Sequence, residues 1–208
     1  MMQKLILLTF FSLFIFSCTE KEKTYEELEA EVLCDVLPQL AHEFITTKLP
    51  PPPPPEEDYD KYNYKPLSIE EFKKLREIQK DSIKLLAKEK HKLIIGINYD
   101  LFEINGKELE IKKKFFIDSQ VQRKFKINEL EKSNLKFKYF EPDSIRLKGE
   151  FINDEGVSSL ISISRVLFNS SKNESFFELF PFGYMPSKIV IISKKENNRW
   201  VVKEMIEQ

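Results

Sequence analysis

The chain has 208 residues, with 33 Lys+Arg against 34 Asp+Glu and a formal net charge of −1. That balance offers no basic excess for nucleic acid, and the 5 glycines disfavour glycine-rich phosphate-binding loops. A content of 41% hydrophobic and 12% aromatic residues is enough for a globular core, and the length fits one domain of ordinary size behind an N-terminal leader.

The leader comes first. Lys4 supplies a positive start, and residues 5–16 are apolar except for Thr9 and Ser12. A membrane-spanning helix needs roughly 18 or more apolar residues, so this run fits the apolar region of a cleaved signal peptide. Ile15-Phe16-Ser17-Cys18 then resembles the lipobox of bacterial lipoproteins. Ile15 and Ser17 match the usual pattern, whereas Phe16 replaces the commoner small residue. The resemblance implies cleavage between Ser17 and Cys18, a diacylglycerol on the thiol, and an acylated new amine. Each buried methylene adds about 0.8 kcal/mol of membrane affinity, so two or more chains make a stable anchor. The implied partner is thus a membrane, reached through lipid on Cys18. Cleavage removes Lys4, leaving 32 basic against 34 acidic side chains, or −2.

Residues 18–23 read as a lipidated, solvated tether. No Asp follows Cys18 directly, which argues for the outer rather than the inner membrane. The charged run Glu20-Lys21-Glu22-Lys23 also resembles surface-export signals; a plain spacer is the alternative.

Residues 24–49 form the next segment, with a helix expected over 24–46. Thr24 can cap it, Glu26 and Glu27 suit its first turn, and Leu28, Val32, Leu33, Val36, Leu40 and Phe44 recur at helical spacing. Pro38 predicts a kink or a split. Cys34, in this stretch, reads as a small core residue; with Cys18 lipidated it has no partner for an intrachain disulfide. Residues 50–66 are a polyproline and Tyr-rich linker. It reads as a stiff spacer or strap, or alternatively as a ligand for an aromatic groove.

Residues 67–208 are expected to form an α+β domain. Ser68 and Glu71 spell a capping box, with Leu67 and Phe72 as a hydrophobic staple. The apolar stripe of this second helix is thin, predicting that it covers a sheet edge or face. Strands follow at residues 93–97, 135–139, 158–168, 176–180, 189–192 and 200–206, with turns at Asn105-Gly106 and Asn197-Asn198. Short connections predict antiparallel hairpins. The expected architecture is N-terminal helices followed by an antiparallel sheet of about five strands.

Ser164-Arg165-Val166-Leu167-Phe168-Asn169, a loop near Gly183, and Asn198-Arg199-Trp200-Val201-Val202 resemble the C-terminal part of uncharacterised lipoproteins from one large Gram-negative lineage. The usual glycine turn before the Trp strand is absent, and so are loop cysteines. This resemblance implies class and location, and no activity. The final strand after its turn also resembles cone-shaped domains of the NTF2-like kind.

The search for chemistry yields little. His42-Glu43 begins a zinc-protease motif, but Thr46 stands where the second histidine belongs; with His91 the only other histidine, a multi-histidine metal site is excluded. No Gly-x-Ser-x-Gly elbow or phosphate loop is present, so neither catalytic residues nor a cofactor are expected. Arg165 interrupts an apolar strand, which predicts an ion-pair partner if its surroundings are buried, or alternatively an anion site. Asp81-Ser82-Ile83 and Asp143-Ser144-Ile145 resemble an O-glycosylation sequon of exported bacterial proteins, implying Ser82 and Ser144 as acceptors. The leading expectation is a non-enzymatic envelope module with a protein or glycan partner. Its rivals are an NTF2-like pocket domain that binds or hydrolyses a small molecule, and an immunity or inhibitor lipoprotein.

Overall fold

The computed structural model describes residues 22–45, 67–98, 100–102, 123–140, 156–182 and 188–207. Helix α1 (Tyr25–Phe44) starts at Thr24, whose side chain accepts from the Glu27 amide while the Glu27 carboxylate accepts from the Thr24 amide at 2.8 Å. This reciprocal pairing satisfies two donors that a helix start leaves open. The helix runs unbroken across Pro38, where a kink or split is expected. Proline removes one backbone bond and crowds the turn before it, but Cys34, Val36, Leu37 and Ala41 around it are all buried. Tertiary packing outweighs the local cost.

Helix α2 (Ile69–Leu86) is capped by Ser68 and Glu71 as expected, and the hydrogen bonds from Ser68 hold the Glu71 carboxyl below its ordinary pKa. Its placement differs from the expectation of a helix laid on a sheet. It meets the C-terminal part of α1 instead, through Ile83, Ala87 and an ion pair from Lys80 to Glu43 at 3.3 Å. Ile83 is its only buried residue. The apolar stripe is too thin, and too near the C-terminal end, to seat the whole helix.

The strands are β1 (Ile94–Asn98), β2 (Asp100–Leu101), β3 (Arg123–Lys124), β4 (Lys136–Phe140), β5 (Val157–Ile163), β6 (Leu167–Phe168), β7 (Glu174–Phe182), β8 (Ile189–Glu196) and β9 (Arg199–Glu207). A short 3₁₀ turn (Ile127–Leu130) precedes β4. Seven of the strands make one sheet in the order β4-β1-β5-β7-β8-β9, with β6 also on β7; β2 and β3 form a separate pair. β1 pairs parallel with both β4 and β5, and the other pairs in the main sheet are antiparallel. The expected antiparallel sheet of about five strands is therefore corrected to a larger, mixed one. The two-residue turn at Asn197-Asn198, both with positive φ, closes an antiparallel hairpin. Between β1, β4 and β5 the chain is long enough for crossovers, and there parallel pairing is allowed.

The core lies between α1 and one face of the sheet. Val32, Leu33, Val36, Leu37 and Phe44 meet Ile95, Ile97, Ile161, Ile163, Phe177, Ile191 and Trp200, all essentially without solvent contact. α1 also covers the start of the edge strand β9. Asp35 accepts from the Trp200 amide at 2.9 Å, and Gln39 both accepts from the Val202 amide and donates to the Trp200 carbonyl at 2.7 Å. Unpaired edge groups invite pairing with foreign strands, and these side chains occupy them. Asp35→Ala and Gln39→Ala are each expected to cost about 1 kcal/mol and to speed hydrogen exchange at the Trp200 and Val202 amides. Unchanged exchange would show that the edge is protected by something else.

Candidate functional site

The sequence places Arg165 within one strand over residues 158–168. The structure breaks that strand into β5 and β6 at Ser164-Arg165-Val166. Ser164 Oγ takes over part of the ladder, donating to the Arg165 carbonyl and accepting from the Glu178 amide at 2.8 Å. The Arg165 amide donates to the Phe102 carbonyl at 2.9 Å. The break turns the Arg165 side chain into the interior, where the residue is 4% exposed.

Its partner there is Glu29 of α1, which is 0% exposed. Arg165 Nε donates to Glu29 Oε1 at 2.9 Å, and the Val166 amide donates to the same oxygen at 2.7 Å. Arg123 of β3 donates through Nε to Glu29 Oε2 at 2.8 Å. Its two terminal nitrogens grip Glu129 of the 3₁₀ turn at 3.2 and 2.8 Å, the bidentate geometry that favours arginine over lysine. Tyr25, one helical turn before Glu29, donates to the Val166 carbonyl at 2.5 Å and lies with its ring 5.3 Å from the Arg165 guanidinium. Burial works against the Arg123 charge, but Glu129 and Glu29 outweigh it and raise its pKa above the ordinary guanidinium value.

Two carboxylates thus face two guanidinium groups. The cluster balances its own charge, and both Glu29 oxygens are occupied by donors. Burying ions is costly unless they are paired and hydrogen-bonded in this way. The arrangement joins α1 to the β5–β6 break and to β3. Of the two sequence readings of Arg165, an ion-pair partner or an anion site, the observed contacts are those of the ion pair. Glu29 and Arg123 were missed in the sequence. For Glu29 the signal was there: an acid four residues from Tyr25 and four from Leu33, inside the apolar face of α1. Arg123 stands beside a weakly patterned stretch that gave no such signal.

No family model matches the chain, and neither the curated proteins nor the solved structures give a match. Its chemistry has to be read from its own side chains. Cys34 is buried with its sulfur 3.7 Å from the Glu129 carbonyl, and burial, reinforced by Asp35, pushes its thiol up to about 12. The thiolate is the reactive form, so Cys34 is expected to resist iodoacetamide at pH 8 in the folded chain and to react once urea unfolds it. Rapid alkylation of the folded protein would contradict this burial.

His42 packs near the end of α1, with Nε2 2.9 Å from Glu43 Oε1; burial lowers its pKa, Glu43 opposes the shift, and Lys84 and Lys80 add to it. His91 is exposed in the turn after α2, with positive φ and its amide bonded to the Asn134 carbonyl. The histidines belong to different elements. Among the described residues no group of three His, Cys, Asp or Glu side chains could hold a metal ion. Leu40, Glu43 and Phe44 of α1 close against Leu179, Ile189, Ile191 and Met205 and leave no room between them for a water molecule. Ser82 is exposed on α2, its hydroxyl donating to the Ile78 carbonyl at 2.9 Å. Ser17, Cys18, Ser144, the polyproline run and the Asn105-Gly106 turn lie outside the described residues.

Proposed function

We propose that the chain is a lipid-anchored protein of the bacterial cell envelope, most simply of the outer membrane, whose folded part is a non-enzymatic interaction module. One contrast supports the module reading. The buried charges Arg165 and Glu29 are committed to each other and buried Glu178 to Lys188, while the apolar side chains Ile69, Phe72, Leu75, Ile78 and Leu85 of α2 are exposed. Apolar surface held in water by a capped helix is what a binding partner covers. The anchor rests on the leader and on Ser17-Cys18.

Two experiments test the two halves separately. Cys18→Ala is expected to abolish fatty-acid labelling of the full chain and to release it or stall its processing; continued labelling would overturn the anchor. Photo-crosslinking from α2 in intact envelopes should capture a discrete protein or glycan adduct. Efficient turnover of a small molecule at an undiminished rate in α2 variants would overturn the module.

A further inference from the structure

The N-terminal part of α2 has no support from the rest of the described fold. Residues 67–78 are exposed throughout, although they include Leu67, Ile69, Phe72, Leu75 and Ile78, with Ile69 77% and Ile78 53% exposed. Attachments to α1 lie further on, among them Lys80, Ile83 and Ala87. A capped helix that carries this much apolar surface in water offers what a partner covers.

Its pattern identifies the complement. Leu75, Ile78, Ser82 and Leu85 recur at spacings of three and four, all exposed, which is the spacing of a two-helix seam. Leu86 and Phe72 border that seam on the side toward α1, and Lys74 and Asp81 border it on the other, seven residues apart. The geometry points to a second copy of this chain as the occupant, its α2 laid antiparallel and centred on Ile78. In that register Lys74 of each copy lies within one residue of the level of Asp81 of the other, on the same flank; Asp81 also meets Lys84 of its own helix at 3.3 Å, and across the seam opposite charges meet twice. The acidic first turn, Glu70 and Glu71, comes beside the far end of the second copy, where Lys88 follows the helix. A parallel pair would bring Glu71 onto Glu71. Opposed helix dipoles favour the antiparallel arrangement as well. The inference rests on the interaction-module reading and names its partner.

The test uses the full chain in detergent with a short bis-maleimide. Ile78→Cys, at the centre of the seam, is expected to give a covalent dimer. Lys73→Cys, on the charged face of the same helix, and the wild-type chain should give at least several-fold less. Both substituted positions are exposed, so folding is not at stake. Lys74→Asp and Asp81→Lys, each in the Ile78→Cys background, should lower the yield several-fold, and the double exchange should restore it. Equal yields at positions 73 and 78, no dimer at any concentration, or a double exchange no better than the singles would overturn the self-pairing. So would flotation with anionic vesicles that Ile78→Glu abolishes, in a chain that does not crosslink; a lipid surface would then be the occupant. Capture of a different envelope protein through α2, without a dimer through Ile78→Cys, overturns the self-pairing and leaves the module reading standing.

Discussion

Replacing Glu29 with alanine is expected to destabilise the fold by about 3–5 kcal/mol, the usual cost of removing one partner from a buried ion pair. Glu29 is 0% exposed and receives Arg165, Arg123 and the Val166 amide. Arg123 keeps Glu129 when Glu29 is lost, and it is partly solvated. Arg165 is buried where the sheet is interrupted, and the Val166 amide loses its acceptor as well. The penalty therefore comes mostly from the groups left behind rather than from the attraction removed. Two comparisons separate these contributions. Glu29→Gln keeps the shape and one acceptor and should cost less than alanine. Removing both charges, as in Glu29→Met with Arg165→Met, should recover much of the loss, because well-packed apolar side chains often replace a buried ion pair at little cost. Urea denaturation midpoints read all three. A loss under about 1 kcal/mol for Glu29→Ala would mean that solvent reaches the cluster and screens it.

Trp200→Ala is expected to cost a further large amount, about 3–5 kcal/mol, for a different reason. Trp200 is the largest fully buried side chain, with Phe168 5.7 Å away between ring centres and the Lys195 ammonium 5.8 Å from its ring. Truncation removes that apolar contact and leaves a cavity that the surrounding helix and sheet close only in part. The backbone bonds of Trp200 to Asp35 and Gln39 are made by main-chain atoms, so the substitution does not delete them directly. The damage should be concentrated on β9, which pairs only with β8 among the described strands and depends on α1 for the rest of its support. Hydrogen exchange should therefore rise along β9 before it rises in β5 or β7. Uniform loss of protection would show that β9 unfolds only with the whole domain. With typical domain stabilities of about 5–15 kcal/mol, either substitution removes a large share of the total.

These two sites mark how differently sequence and structure contribute. Trp200 and its strand are legible in the chain, because a two-residue asparagine turn followed by an apolar run can hardly be anything but a hairpin arm. The same holds for both helix starts. Thr24 caps its helix, and Ser68 with Glu71, acting over three residues, forms the capping box its spacing implies; the reciprocal bond of Glu27 to Thr24 is added by the structure. The core stripe of α1 was visible for the same reason, since periodicity is a local property. Arg165 was visible as an anomaly, a charge in an apolar strand, yet its partner lies 136 positions away.

By itself the sequence determined the caps, the helix-then-strand order and the hairpin at the end. All of these depend on neighbours within a few residues. Tertiary structure alone decided that β1 runs parallel to β4 and β5, that Pro38 is tolerated in mid-helix, and that Glu29 meets two arginines. It also decided that α2 stands off the sheet rather than upon it. Each of these depends on which distant surfaces meet, and burial, charge pairing and loop length set that only after the local elements have formed.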